Sequence, residues 1–148
     1  MIVLDTRVYV SALRELTEAG KEVNVKVFGS SMVPFLGDGR DEVLIKKPAR
    51  ELKAGDIVFY QRENGRFILH RIWKIKPDGY YIVGDNQDMI EGPVRPEQIF
   101  AVVIKAKRKG KWVGPGDFWW EFFEHVWIHM VPVRRALIKG YTCLSRKR

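Results

Sequence analysis

Hydrophobic and polar residues alternate along much of the first two thirds of the chain. Val23, Val25 and Val27 are separated by single polar residues. A period of two is typical of a strand that buries one face and exposes the other. The pattern predicts a half-buried strand that begins near residue 22.

Five further segments have the β-branched and aromatic character of strands. They are residues 42–45, 56–61, 66–75, 80–83 and 99–106. Glycine, proline, asparagine and aspartate separate them, as in turns. Many short strands divided by turns predict a mainly β protein, an antiparallel sheet that curls into a partly open barrel.

One hairpin can be predicted in detail. Asn64-Gly65 is typical of a two-residue turn, so residues 56–61 and 66–75 should pair. His70 then lies in the middle of the second strand, on the same apolar face as Ile68 and Ile72. Arg71 points to the opposite face, where a salt bridge to an acid of the 85–91 loop is the expected contact.

The two ends of the chain have a different pattern. Val8, Leu13 and Leu16 follow a helical spacing, and Gly20 would end that helix. Residues 118–130 are densely aromatic and predict a C-terminal amphipathic helix. The chain therefore divides into an N-terminal helix (1–21), a β-barrel (22–114) and an aromatic, basic helical tail (115–148).

Composition fits a single globular domain. The 148 residues are 46% hydrophobic and 30% charged, which is unlike a disordered chain. The one cysteine, Cys143, excludes an internal disulfide framework and leaves the redox compartment open. No metal cluster or phosphate-binding glycine loop is recognisable, so we expect no cofactor.

The formal charge of +8 indicates an anionic partner. After its aromatic segment, the tail carries six cations without an acid: Arg134, Arg135, Lys139, Arg146, Lys147 and Arg148. Aromatic residues beside such cations suit an anionic membrane surface, and packing of the rings on the barrel explains them equally well. No helix-turn-helix or zinc spacing points to specific nucleic acid binding.

No segment of the sequence predicts a membrane-spanning helix or a cleavable signal peptide. The residues before Lys21 contain no long apolar run, and Glu121 and Glu124 interrupt the aromatic tail. The sequence is therefore compatible with a cytoplasmic protein or one peripheral to the membrane. A membrane-bound partner protein is one way in which such a chain could be anchored, and the sequence leaves open whether it needs one.

A candidate nucleophile lies in Gly29-Ser30-Ser31-Met32-Val33-Pro34. Ser31 stands on a predicted bend, where its hydroxyl would be exposed, and it needs a neighbouring base to take its proton. His70 is held on a rigid strand, whereas His125 and His129 lie in the aromatic tail. The backbone N–H of Ser31 and the hydroxyl of Ser30 are candidate oxyanion donors.

Four segments in order carry a family resemblance: Ser31-Met32-Val33-Pro34, Gly55-Asp56-Ile57-Val58, His70-Arg71-Ile72 and Gly84-Asp85-Asn86. Together they resemble the serine peptidases of the type I signal peptidase and LexA-like group. Within that group, His70-Arg71-Ile72 is similar to the histidine-base subtype of the endoplasmic-reticulum signal peptidase.

The resemblance implies a serine endopeptidase in which Ser31 is the nucleophile and His70 the general base. Asp88 or Asp85 would orient the histidine, and Glu91 stays open as a third candidate. The implied substrate is a peptide with small residues before the cut, such as the leader of an exported precursor. A histidine base also implies that activity falls as the pH drops through about 6 to 7.

Other interpretations remain open at the level of sequence. Lys46, Lys47 or Lys53 would supply the lysine base of the LexA-like subtype, although none lies in a run as apolar as that of His70. A LexA-like regulator that cleaves itself normally has a DNA-binding domain before the serine, for which thirty residues are too few. A non-catalytic, peptide-binding or membrane-associated adaptor would keep the sheet but need no contact between Ser31 and His70.

Overall fold

A computed structural model describes the backbone of residues 6–146 and the side chains of residues 8–140. In this part of the chain a helix precedes eight strands, and two helices joined by a 3₁₀ segment (Trp127–Val133) follow them. The helices are α1 (Thr6–Glu18), α2 (Phe118–His125) and α3 (Arg134–Arg146). The strands are β1 (Val23–Lys26), β2 (Glu42–Lys46), β3 (Ile57–Gln61), β4 (Phe67–Lys76), β5 (Gly79–Val83), β6 (Glu91–Val94), β7 (Ile99–Arg108) and β8 (Lys111–Val113).

The strands form one antiparallel sheet. Its order is β1-β2-β7-β3-β4-β5-β6, and β8 pairs with β7. Among the described strands β1 and β6 end this order without pairing to each other, so the sheet is not closed. This confirms the predicted mainly β, partly open architecture with a short N-terminal helix and C-terminal helices.

The predicted hairpin is formed by β3 and β4, and Val58 lies opposite His70. The prediction of a two-residue turn was wrong, because the Arg62 N–H donates to the Arg66 carbonyl at 2.7 Å and leaves three residues in the loop. Gly65 ends that loop with a φ of 88°, the left-handed conformation that three-residue hairpins require.

The strand β6 is not among the predicted segments, because its Gly92-Pro93 pair is more typical of a turn than of a strand. It pairs with β5 through Tyr80 opposite Val94 and Ile82 opposite Glu91. Proline lacks a backbone donor and is tolerated at the edge of a sheet, which is where β6 lies. The short strand β8 was also missed.

The main hydrophobic core joins the two ends of the described chain to the sheet. It includes Val10 and Leu13 of α1, and Phe123 and Trp127 of the C-terminal segment. Met32, which follows the candidate nucleophile, is 1% exposed in the same core. The serine loop is thus fixed by packing on one side.

The aromatic tail is broken into two elements rather than forming one helix. Helix α2 ends at His125, and the 3₁₀ segment that follows contains Pro132 and a kink at Met130. Phe118 and Trp119 stay 71% and 51% exposed, while the next aromatic residues enter the core. The side chains of Cys143 and Arg146, and the whole of Lys147 and Arg148, lie outside the described residues.

Within residues 6–146, none of the helices is both long and apolar enough to cross a membrane.

Candidate active site

The candidate nucleophile lies on a loop that leaves β1 and returns at Asp41. The Asp41 backbone carbonyl accepts from the Val27 N–H at 2.9 Å, and the Val27 carbonyl accepts from the Gly39 N–H at 2.7 Å. The Asp41 carboxylate also accepts from the backbone N–H groups of Gly37 at 2.8 Å and Lys109 at 3.0 Å. These bonds close the serine loop at its base.

The Asp41 carboxylate is completely buried, which by itself would raise its pKa. Hydrogen bonds from Arg40 and from the backbone N–H groups of Lys109 and Gly37 outweigh that effect and lower the pKa to about 2. Asp41 is therefore ionised at neutral pH, as its role as a multiple acceptor requires.

The segment after Ser31 is held from the other side of the sheet. The Arg108 guanidinium donates to the Phe35 carbonyl at 2.5 Å and to the Pro34 carbonyl at 3.3 Å. Phe35 itself is 1% exposed. Ser31 is only half-buried, so its neighbours are fixed while its own side chain remains accessible.

Ser31 and His70 line the same cavity, which has a volume of about 460 Å³. Its other lining residues come from α1, β1 and the β3–β4 hairpin and are mostly apolar: Tyr9, Val10, Val25, Lys26, Val27, Phe28, Met32, Phe59, Phe67, Ile68 and Leu69. A serine and an imidazole that are distant in sequence thus meet at one concave, apolar site. Such a cavity with few polar groups is typical of a binding site.

The His70 imidazole is neutral at physiological pH. Its side chain is 4% exposed, and burial lowers its pKa from 6.5 to about 4. The positive charge of Arg62 lowers the pKa further, while Glu91 opposes both effects. A neutral ring has a free acceptor nitrogen, which a general base needs.

Among the described residues, none is hydrogen-bonded to the side chain of His70, whose backbone pairs with β3 opposite Val58. This includes the Ser31 hydroxyl, which shares the cavity without donating to the ring. Catalytic hydrogen bonds are often long before substrate binds, so the shared cavity is the relevant geometry. The Ser31 and His70 roles stay predictions.

The three candidate acids bind other cations. Asp85 accepts two hydrogen bonds from Arg71, and Asp88 forms an ion pair with Arg135 at 2.9 Å. The place of an acid beside His70, assigned to Asp88 or Asp85 from the sequence, stays a prediction.

Glu91 differs from the two aspartates because its charge acts on His70. It accepts from the Tyr60 hydroxyl at 3.0 Å and from Arg62 at 2.7 Å. The Tyr60 and His70 rings are 6.4 Å apart, centroid to centroid. Of the three candidate acids, Glu91 is thus the one that contacts a neighbour of His70, the Tyr60 ring, and whose charge acts on the imidazole.

The Gly84-Asp85-Asn86 turn supports the serine loop. The Asn86 N–H donates to the Ser31 carbonyl at 2.8 Å, and the Asn86 side-chain amide donates to the Ser30 carbonyl at 3.1 Å. Gly84 is close enough that a Cβ there would lie 2.6 Å from the Ser31 carbonyl oxygen. The sequence marks this turn as part of the family resemblance and as a source of acids, but not as a support of the serine loop, because backbone acceptors leave no pattern in the sequence.

The candidate oxyanion donors are compatible with that role. Among the described residues, the Ser31 N–H is not used in a hydrogen bond, and Ser30 is exposed. An unused donor next to the nucleophile is what a developing oxyanion needs. The assignment of Ser31 and Ser30 stays a prediction.

The lysines considered as alternative bases lie elsewhere. Lys53 contacts Glu124 and lies 3.6 Å from Asp56. Lys46 and Lys47 are not among the residues that line the cavity. Lys26 does line the cavity, and its side chain is exposed.

One group of side chains in the described part of the chain could approach a metal ion. The ligand atoms of Glu121, Glu124 and His125 all lie within 4.8 Å of one another. Lys53 already contacts the buried Glu124 and supplies a positive charge there. None of the three lines the cavity that contains Ser31.

Comparison with known protein families identifies a match for the chain. The family described as Peptidase S24-like matches residues 4–105, which is more than half of the chain. This span contains Ser31, His70 and the Gly84-Asp85-Asn86 turn, and it ends within β7. A search of curated proteins found no match.

Proposed function

The chain belongs to the Peptidase S24-like family of serine peptidases, and from this premise we propose that it is an endopeptidase with Ser31 as nucleophile and His70 as general base. The observation that carries the proposal is the common cavity, which both side chains line. The lowered pKa of His70 keeps the imidazole able to accept a proton at neutral pH.

In the proposed reaction, Ser31 Oγ attacks the carbonyl carbon of a peptide bond while His70 accepts the hydroxyl proton. The Ser31 N–H and the Ser30 hydroxyl donate to the oxyanion of the tetrahedral intermediate. The C–N bond then breaks and His70 returns the proton to the leaving amine. A water molecule, deprotonated by His70, hydrolyses the ester and regenerates Ser31.

An extended peptide is the substrate that suits this site. Among the described strands, β1 is at the end of the sheet, so one edge of it can pair with an added strand. Val25 and Val27 of this segment line the cavity that contains Ser31. A substrate bound there would place an apolar or small side chain beside the nucleophile, as in the leader of an exported precursor.

The test uses two measurements on the purified protein. A fluorophosphonate probe should label Ser31, and a precursor with a leader peptide should be cut once, at a site preceded by small residues. Ser31→Ala should abolish both, and His70→Gln should lower both by about 10³-fold or more. Ser11→Ala, on the exposed surface of α1, is the matched control and should behave as wild type.

Retention of activity by Ser31→Ala would contradict the proposal. A wild-type protein that binds peptides in the cavity but neither reacts with the probe nor cuts would instead support a non-catalytic adaptor.

Self-cleavage is a second candidate, favoured by the family match, since that group includes LexA-like proteins. Incubation alone should then produce two fragments, identified by intact mass. A rate that does not depend on protein concentration would show cleavage within one molecule, and Ser31→Ala would prevent it.

We further propose that the start of α2 contacts an anionic membrane surface. Phe118 and Trp119 are exposed, and their rings lie 4.9 Å apart in an edge-to-face arrangement. Aromatic rings at the depth of the headgroups, with nearby cations, stabilise such contacts. Vesicles with anionic lipid should co-float with wild type, and the variant with Phe118→Ser and Trp119→Ser should lose this binding without losing peptidase activity.

A further inference from the structure

The residues after the matched family span reach back to the active-site turn. Arg134, at the start of α3, is 1% exposed although it is an arginine. Its Nη1 donates to the Gly84 carbonyl at 3.0 Å and to the Gln87 carbonyl at 3.1 Å. One guanidinium nitrogen thus binds both ends of the Gly84–Gln87 turn.

A second donor from the same segment contacts the middle of the turn. The Trp127 indole N–H donates to the Asp85 carbonyl at 2.9 Å. Arg134 Nη2 in turn donates to the Trp127 carbonyl at 2.9 Å, and its Cζ lies 5.3 Å from the centre of the Trp127 ring. The two side chains therefore support each other while they bind three carbonyls of the turn.

The turn transmits this contact to the nucleophile. Its Asn86 N–H holds the Ser31 carbonyl at 2.8 Å. Hydrogen bonds on both sides of this four-residue turn therefore connect Arg134 with Ser31: two from Arg134 to the turn and one from the turn to the Ser31 carbonyl. Movement of the turn by 1 Å would move the carbonyl next to the reacting hydroxyl by a similar amount.

Burial of this arginine has a cost in stability. Its carbonyl partners carry only partial charge, and the Nε atom is a buried donor without a partner among the described residues. Burial also lowers the pKa of Arg134, and the negative charge of Asp85 opposes that shift. An apolar side chain at position 134 would avoid this cost of burying a polar group. The presence of an arginine therefore points to a geometric role for its guanidinium.

We propose that Arg134 is a positioning residue for Ser31, acting together with Trp127 through the Gly84–Gln87 turn. This proposal rests on the proposed peptidase function. It makes the 3₁₀ segment and the start of α3, which lie outside residues 4–105, a necessary part of the active site.

The test compares Arg134→Gln with Arg134→Lys on the full chain. Gln removes the charge and the second donor nitrogen, so kcat should fall by about tenfold or more while KM changes by less than about threefold. Lys keeps the charge and should restore part of the rate. Lys139→Gln, an exposed cation on the same helix, is the control and should leave both constants unchanged.

Amide NMR spectra separate positioning from general loss of structure. In Arg134→Gln the amide signals of Asn86 and Ser31 should shift, while those of β2 stay in place. Trp127→Phe removes only the indole donor and should produce a smaller shift in the same direction, which keeps the test valid should Arg134→Gln fail to fold.

The outcomes distinguish this proposal from the proposed function. Wild-type kcat in Arg134→Gln, or unshifted Asn86 and Ser31 amides in both variants, would overturn the positioning role. A wild-type protein without hydrolysis or probe labelling would overturn the peptidase proposal. In that case the amide shifts alone decide whether Arg134 sets the position of Ser31.

Discussion

Arg71 and Asp85 form a bidentate ion pair that is closed off from solvent. Nε and Nη2 of Arg71 lie 2.9 and 3.0 Å from the two carboxylate oxygens, and the side chains are 3% and 0% exposed. The remaining Arg71 nitrogen donates to the Gly55 carbonyl at 2.8 Å. The pair connects β4, which carries His70, with the turn that supports Ser31.

Replacing Asp85 by Asn should destabilise the protein strongly. The change removes the charge that compensates Arg71 in a buried site, and breaking such a pair typically costs about 3–5 kcal/mol. The free energy of unfolding in urea measures this loss. Glu97→Gln breaks an exposed pair with Arg95 and should cost no more than about 1 kcal/mol. Equal losses in the two variants would contradict the role assigned to the buried pair.

Local patterns in the sequence predict the arrangement of β4 around His70 and Arg71 well. Alternation along β4 placed His70 and Arg71 on opposite faces, and the structure confirms the expected salt bridge from Arg71 to an acid of the 85–91 loop. Which acid it would be could not be predicted. Asp85, Asp88 and Glu91 are close in sequence, and their partners depend on how the loop folds against three other elements.

The hydrogen bonds from the tail to the Gly84–Gln87 turn could not be predicted from the sequence, for a different reason. The sequence showed that the tail is aromatic and basic, but Arg134 and Trp127 bind backbone carbonyls. Every residue carries a carbonyl, so such contacts have no residue signature. Only the packing of the tail against the sheet reveals that two of its side chains reach the active-site turn.

The pH dependence of activity should differ from that of an exposed histidine. The sequence led us to expect a loss through about pH 6 to 7, but burial lowers the His70 pKa to about 4. The base is active when unprotonated, so kcat/KM should stay high through pH 6 and fall only near pH 4. A pH–rate profile of wild type measures this. A loss centred at pH 6.5 would show that His70 is more solvated than the structure indicates.

The same shift predicts a loss of stability in acid. The pKa of His70 is about 4 in the folded state and 6.5 in the unfolded state, so the unfolded state takes up the proton first. The contribution of neutral His70 to the free energy of unfolding is complete above pH 6.5. It decreases by about 3 kcal/mol between pH 6.5 and pH 4. Urea unfolding of wild type and His70→Gln at pH 7 and pH 4.5 checks this. The variant should lose less stability than wild type over that interval.

Arg62 and Glu91 should shift the titration of His70 in opposite directions. Arg62 lowers the pKa of His70 and Glu91 raises it. Arg62→Gln should therefore raise the His70 pKa, and Glu91→Gln should lower it further. NMR titration of the imidazole in a Ser31→Ala background measures both without turnover. Shifts of the same sign would contradict the electrostatic assignment and remove Glu91 as the acid coupled to the base.

Gly84→Ala should impair catalysis more than folding. The new Cβ would lie 2.6 Å from the Ser31 carbonyl oxygen, so the serine loop must move away from the turn. That movement stretches the hydrogen bond from the Asn86 N–H and displaces the nucleophile, and we expect kcat to fall by about tenfold or more. Overpacking should also cost about 1–3 kcal/mol of stability. Gly140→Ala is the matched control, because a Cβ there would meet no described atom within 4 Å and should stabilise α3 by about 0.5–1 kcal/mol. Wild-type kcat in a folded Gly84→Ala protein would mean that the turn does not set the position of Ser31.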